Sequence, residues 1–359
     1  MAARPVLILA GGTGGHVFPA LAVAEVLAER GVPVVWFGTR RGLESRVVPA
    51  AGIAIEYLPV RGLRGRRWLD SVTAPFMLAR AVAAAIRRVR RHRPRAVLGM
   101  GGYVSGPGAV AARLLRLPLL IHEQNAVPGM TNRWLARLAT RVLTGFDVVF
   151  PGAPQARFVG NPVRRAIGRI PEPSERWAGR QGPLRLLVIG GSLGARALNE
   201  RLPAALARLP AVSRPAVRHQ AGERTIGTAR QAYREAGVDA DVSEFIDDMT
   251  EAYSWADLVV CRAGALTVAE LAAAGVPALF VPFPYAVDDH QTRNAAYLVD
   301  AGGAELIQER DLDTDSFAAA LERLLADRTH LLAMAERARA RGRPDAVDTV
   351  VANCLEVAS

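Results

Sequence analysis

Five short segments carry the residue types that do chemistry. Gly11-Gly12-Thr13-Gly14-Gly15-His16 follows directly on a run of apolar residues. Glycines let a backbone approach a ligand closely, and a helix starting there offers unpaired N–H groups and the positive end of its dipole. The spacing is not that of the dinucleotide-binding Gly-x-Gly-x-x-Gly. A phosphate or pyrophosphate cradle is the favoured reading, with a tight strand-to-helix turn as its rival. His16 closes the segment. Imidazole titrates near neutral pH, so a histidine here is a candidate general base for a hydroxyl nucleophile; a purely structural role has equal weight on context alone.

The second segment, Met100-Gly101-Gly102-Tyr103-Val104-Ser105-Gly106-Pro107, is another glycine loop at a strand end. The third, His122-Glu123-Gln124-Asn125, sets four polar residues immediately after an apolar run. They read as lining a site, against a helix cap by Asn125 or a loop network. In the fourth, Cys261 to Glu270, a strand ends, Gly264 turns the chain and a helix begins. Its first N–H groups suit a pyrophosphate, and Glu270, one turn in, suits ribose hydroxyls. The rival is a carboxylate complementing the helix dipole, about 0.3–1 kcal/mol. The fifth is Asp288-Asp289-His290-Gln291-Thr292-Arg293-Asn294. Its acid pair invites a metal, but capping of the next helix is preferred. Gln291 and Asn294 share a helical face and could hydrogen-bond a sugar. With no clear ligand set, neither a metal nor a cofactor is expected.

These segments need a frame. Apolar runs at 6–10, 34–37, 96–99 and 119–122 alternate with amphipathic stretches such as 17–30, the pattern of a parallel sheet covered on both faces. Residues 151–183, rich in Pro, Gly and Arg, read as an interdomain connection. The pattern then restarts: a strand at 184–189, Gly190-Gly191-Ser192, a helix from about Ala195, strands at 259–261 and 278–281, and helices over 314–340. The fold class is α/β, with two Rossmann-like domains. Ligands in such sheets bind at the carboxyl ends of the strands, so the expected active site is a cleft across which the domains face. The expected division is 1–163, 164–340, and a helix in 341–359 that returns to the first domain.

The chain of 359 residues is 50% hydrophobic and 22% charged, enough to bury full cores. Its net charge is +11, and all 45 basic residues are Arg. Residues 61–95 hold 11 Arg against one acid, Asp70, so nearly the whole excess is local. Such a patch implies an anionic partner: nucleic acid, lipid headgroups or an acidic substrate. Val72, Phe76, Ala79, Val82, Ile86 and Val89 recur there at helical spacing, accompanied by Arg80, Arg87, Arg88, Arg90 and Arg91. This is either a core-facing helix with a solvated side or an interfacial helix on an anionic membrane. The crowding of Arg61, Arg64, Arg66 and Arg67 favours the second. Nucleic acid is disfavoured, because Trp68 and Phe76 are the only aromatics in the cluster. Two cysteines, Cys261 and Cys354, make no disulfide framework or zinc site. No secretory signal is expected, and no apolar stretch reads as long enough to span a bilayer. A cytoplasmic protein with peripheral membrane contact is expected.

Taken together the segments resemble the bacterial MurG family of glycosyltransferases. The resemblance runs through GGTGGHVFPALAVA at 11–24, GLRG at 62–65, GMGGYVSGP at 99–107, HEQN at 122–125 and GNPVR at 160–164. It continues through GGSLGAR at 190–196, EFIDDM at 244–249, CRAGALTVAE at 261–270 and DDHQTRNA at 288–295. It implies the two-domain GT-B fold, acceptor domain first, and metal-free, inverting transfer of N-acetylglucosamine from UDP-N-acetylglucosamine to the muramyl 4-hydroxyl of lipid I, giving lipid II for peptidoglycan. Donor contacts implied by the resemblance are Thr13, Gly14, Gly15, Asn125, Arg164, Ser192, Ile246, Ala265, Leu266, Thr267, Val268, Ala269, Glu270 and Gln291. Ile246 would lie against the uracil, the helix from Ala265 would hold the diphosphate, and Glu270 the ribose. His16 is similar to the family's suggested general base. The implied location is the cytoplasmic face of the cell membrane, on its anionic inner leaflet, with wall-synthesis and division proteins as partners. Leu193 departs from the Gln of many members, and Ala79 and Val82 are smaller than the family's membrane-facing side chains. A UDP-N-acetylglucosamine 2-epimerase is the alternative enzyme, and an anionic-surface or nucleic-acid-binding protein the alternative of another class.

Overall fold

The computed structural model describes residues 4–60, 69–148, 150–191 and 194–358, with backbone alone over 69–74. Arg61, Arg64, Arg66, Arg67, Trp68, Ser192 and Leu193 lie outside the described residues. The chain forms two compact units, Met1–Arg164 with Pro344–Ser359, and Arg165–Arg343.

The first unit is built on strands β1 (Val6–Ala10), β2 (Val34–Gly38), β3 (Ala54–Tyr57), β4 (Ala96–Gly101), β5 (Leu119–Glu123), β6 (Arg141–Thr144) and β7 (Arg157–Phe158). Their order is β3-β2-β1-β4-β5-β6-β7, and every described pair is parallel. The consecutive apolar residues of β1 serve two cores. Val6, Ile8 and Ala10 pack with Val17, Val23 and Leu27 on one face, while Leu7 and Leu9 pack with Phe37, Ala85 and Val104 on the other. The order reverses between β1 and β4, and both are followed by glycine loops, so the loops sit together at the switch point.

The helix Ala346–Glu356 completes this unit. Val347, Val350, Val351 and Cys354 are buried in the same cluster as Val6 and Ile8. Arg30 pairs with Asp348 at 2.6 Å, and Arg141 reaches Asn353 at 2.8 Å and Glu356 at 2.6 Å.

The second unit carries β8 (Arg185–Ile189), β9 (Ala216–Gln220), β10 (Asp241–Ser243), β11 (Leu258–Cys261), β12 (Ala278–Phe280) and β13 (Ala304–Leu306), ordered β10-β9-β8-β11-β12-β13 and again parallel. Leu186 and Val188 pack with Leu198, Leu202, Phe317 and Leu321 on one face of it. Residues 151–183 are more ordered than a connection: they hold β7, two short helices, and the buried Ile167, Ile170 and Trp177.

The basic helix, Leu69–His92, has a mixed character. Ala81, Ala84, Ala85 and Val89 are buried, at the three-and-four spacing of a core face, whereas Phe76 is 75% exposed and Leu78 53%. Of the stripe expected at Val72, Phe76, Ala79, Val82, Ile86 and Val89, Val89 is buried, Val82 and Ile86 are partly buried, Phe76 and Ala79 are exposed, and the side chain of Val72 lies outside the described residues. Arg88 is not a solvated charge either, since it donates to Glu56 at 3.2 Å and to the Ala84 carbonyl at 3.1 Å. Among the described residues, no helix is long and apolar enough to cross a membrane.

Candidate functional site

In the first unit the helix Gly14–Glu29 starts at Thr13, whose side chain makes no cap bond. The first N–H groups of any helix lack an intrahelical partner; here Thr13 is exposed and Gly14 and Gly15 partly so. The preceding turn is pinned from beneath. Glu44, fully buried, accepts from Gly12 N at 3.0 Å, Thr39 N at 2.8 Å and Thr39 Oγ1 at 2.7 Å. A carboxylate already bonded to this turn disfavours an anion on the Gly12 amide; the N–H groups of Gly14 and Gly15 lie further along.

The second glycine loop packs on the first. A Cβ on Gly102, whose φ is +85°, would lie 2.2 Å from the Gly11 carbonyl oxygen. One on Gly101 would lie 2.5 Å from His16 Nδ1. The imidazole thus rests against glycine backbone, and its Nδ1 lies 3.1 Å from Gln124 Oε1. The 122–125 segment is held on all sides. Glu123 is 2% exposed and accepts from Asn125 N at 2.9 Å, Gly129 N at 3.0 Å and Asn132 Nδ2 at 2.8 Å. Its role is to shape the loop that presents Asn125. His122 donates from Nε2 to the Gly160 carbonyl at 2.9 Å, and burial holds its pKa down to about 4. Asn161 donates to the Gln124 carbonyl at 3.0 Å.

In the second unit the glycine turn after β8 faces Gln220. The Gln220 amide accepts from Gly191 N at 3.0 Å and donates to Gly191 O at 3.1 Å and to Glu244 O at 2.9 Å. It thereby ties the turn to the segment carrying Ile246, which is partly exposed. A Cβ on Gly194, at φ +75°, would fall 2.1 Å from Thr225 Oγ1, so only glycine fits.

The helix Ala265–Ala274 begins at Gly264 with no side-chain cap. The N–H groups of Ala265, Leu266 and Thr267 therefore have their dipole end open to an anion. Val268 is buried and donates its N–H to the Gly264 carbonyl at 2.9 Å; Ala269 is partly exposed. Glu270 is 6% exposed, and its Oε2 accepts from the Tyr253 hydroxyl at 3.0 Å. Asn294 is buried and donates to the Ala263 carbonyl at 3.2 Å, and Gln291 accepts from Phe283 N at 2.9 Å. Asn294 thus braces the start of the helix. Asp288 and Asp289 both adopt positive φ and neither caps the following helix through its side chain, contrary to the capping expected of them.

Comparison with known proteins places this architecture. A family model described as Glycosyltransferase family 28 N-terminal domain matches residues 6–144, and one described as Glycosyltransferase family 28 C-terminal domain matches 185–350. A relative from Alkalilimnicola ehrlichii is 63% identical over 354 residues, 99% of each chain. It is named UDP-N-acetylglucosamine--N-acetylmuramyl-(pentapeptide) pyrophosphoryl-undecaprenol N-acetylglucosamine transferase. The chain belongs to the MurG family, within glycosyltransferase family 28. A relative of the same name from Marinobacter nauticus is 52% identical over 99% of this chain and 98% of its own. The crystal structure of Acinetobacter baumannii MurG matches with a TM-score of 0.86 at 42% identity, over 98% of this chain and 99% of that one. The two parallel sheets are thus the GT-B-type pair of this family. A Neisseria meningitidis UDP-GlcNAc 2-epimerase, at 13% identity and TM-score 0.67, shares the fold alone.

The family's residues fall in both units. Of the residues that the resemblance implies, Thr13, Gly14, Gly15 and His16 lie in the loop and helix start after β1, Asn125 follows β5 and Arg164 is half-buried, all in the first unit; Ile246, Ala265–Glu270 and Gln291 belong to the second. Reading the sequence alone missed the pins: Glu44 beneath Gly12, Gln220 beneath Gly191, and Tyr253 against Glu270.

Proposed function

We propose that this protein moves N-acetylglucosamine from UDP-N-acetylglucosamine to the muramyl 4-hydroxyl of lipid I, inverting the anomeric carbon and releasing UDP. The observation that carries the reading is the uncapped helix at Gly264 with a buried carboxylate, Glu270, one turn inside it. That pair suits a diphosphate followed by a ribose. The relatives that span 98–99% of their own length supply the name of the reaction.

The acceptor hydroxyl attacks the anomeric carbon opposite the diphosphate and loses its proton to His16. The charge gathering on the leaving diphosphate is met by the N–H groups of Ala265, Leu266 and Thr267, fixed dipoles that need no reorganisation. Thr13, Gly14, Gly15, Asn125, Arg164, Ser192 and Gln291 complete the donor contacts, and Ile246 packs on the uracil. Docking on an anionic leaflet is supported by the exposed Phe76, which shares a helical side with the exposed Arg80, Arg87 and Arg90. Each basic residue near such a surface contributes about 1 kcal/mol.

Incubation with radiolabelled UDP-N-acetylglucosamine and a short-chain lipid I analogue tests the reading. A β-1,4-linked disaccharide product with stoichiometric UDP is expected. Formation of N-acetylmannosamine without any acceptor would replace it with the epimerase.

A further inference from the structure

We infer that Gln124 is a positioning residue that sets the tautomer of His16, holding the proton on Nδ1 and leaving the lone pair on Nε2. The inference rests on the reading of His16 as the base, and it starts two groups away. Gln124 is 1% exposed, and its Nε2 lies 2.8 Å from the Met100 carbonyl oxygen. A carbonyl oxygen only accepts, so the amide nitrogen must face it. Turning the amide over would set two acceptors against each other in a buried place. The orientation of the side chain is therefore fixed by the backbone of β4.

That orientation points Oε1 at His16 Nδ1, 3.1 Å away. An amide oxygen also only accepts, so Nδ1 must carry the hydrogen. In a neutral imidazole the other nitrogen then has none. The ring has little freedom to escape this bond. Gly101, at φ +104°, leaves no Cβ where the ring lies, and a Cβ there would meet Nδ1 at 2.5 Å. Gln124 itself is anchored by its own carbonyl, which accepts from Asn161 at 3.0 Å. The relay of Met100 carbonyl, Gln124 amide and His16 ring does what a carboxylate does in many His-based sites, without adding a negative charge beside an anionic donor.

The test reads the tautomer directly. Protein labelled with ¹⁵N-histidine is examined by long-range ¹H–¹⁵N correlation at a pH where imidazole is neutral, with the His16 signals assigned by their loss in His16→Ala. The expected pattern is a pyrrole-like Nδ1 and a pyridine-like Nε2. In Gln124→Met, which keeps the volume and cannot accept the bond, that preference should be lost. The kcat of this variant should fall about tenfold or more while the KM for UDP-N-acetylglucosamine changes less than threefold, with circular dichroism confirming the fold. An Nε2–H signal for His16 in the unmodified protein would overturn the assignment while leaving the base role intact. An unchanged tautomer and kcat in Gln124→Met would overturn it as well. Full kcat in His16→Ala would instead remove the base role, and with it any catalytic meaning of Gln124.

Discussion

Glu270→Ala is expected to weaken UDP binding about ten- to a hundredfold with the fold intact. The carboxylate is 6% exposed and sits one turn into a helix that no side chain caps. A hydrogen bond from a ribose hydroxyl to such a group contributes about 1.5–3 kcal/mol, and every 1.4 kcal/mol is a factor of ten. Tyr253 allows a sharper experiment. Its hydroxyl donates to Glu270 Oε2 at 3.0 Å, which aims the other oxygen. Tyr253→Phe should raise the Kd for UDP about two- to tenfold, the effect of one modest hydrogen bond. In the Glu270→Ala background the same substitution should do nothing further, because Tyr253 acts through the carboxylate. Titration calorimetry with UDP measures all four proteins, and thermal unfolding checks their folds. Equal Kd values for the parent and Glu270→Ala would remove Glu270 from the site. An effect of Tyr253→Phe that is the same in both backgrounds would break the proposed link between the two residues.

Acidification should destabilise the protein well above the range of ordinary carboxylates. Burial holds His122 at about 4 and His219 at about 3, so below pH 6.5 the unfolded chain takes up protons that the native state refuses. Native stability then falls with pH, by about 2–3 kcal/mol for each histidine by pH 4.5; urea midpoints that match at pH 7 and pH 4.5 would refute this. His219→Phe, which gives up the bonds to Tyr233 and Asn199 at 3.0 Å each, should be less stable at pH 7 but show a flatter loss on acidification. Transfer is expected to persist in excess EDTA, since no three His, Cys, Asp or Glu side chains come together among the described residues; complete loss restored by Mg²⁺ would contradict it. Gly101→Ala should lower kcat more than it lowers the unfolding midpoint, because its Cβ would meet the His16 ring at 2.5 Å and the backbone is at φ +104°; a variant with parental kcat would show that the ring tolerates displacement.

The two-sheet plan was legible because the inner strands are apolar throughout. β1 reads VLILA and feeds both faces of its sheet, which no loop or surface helix would do. β9 was not legible. It reads AVRHQ, and its His219 and Gln220 are buried only because Tyr233, Asn199 and Gly191 lie against them in the fold. β7, of two residues, and β10 and β13, of three each, are too short to leave a period. The site divides in the same way. Glycine turns at strand ends announce themselves locally. The side chains that hold them do not: Glu44 lies 32 positions from Gly12, Gln220 29 from Gly191, and Tyr253 17 from Glu270. The basic helix was legible only in part, for a different reason. One periodic stripe served two environments, and periodicity records which residues share a face, not what covers it.

The return of Ala346–Glu356 to the first unit makes the second unit an insertion of 179 residues within it. On the ribosome, then, Val6, Ile8 and the helix Gly14–Glu29 emerge long before Val347, Val350, Val351 and Cys354, which fill the remaining side of their core. At about 5–20 residues per second the 318 positions from Glu29 to Val347 take roughly 16 to 64 seconds. The inserted unit has its whole sequence in hand by Arg343, before the helix Ala346–Glu356 is made, and until then the flanking one keeps an apolar face exposed to chaperones and to neighbouring nascent chains. A stop codon a dozen residues early would thus be felt at the opposite terminus, in the core around Val6 and Ile8.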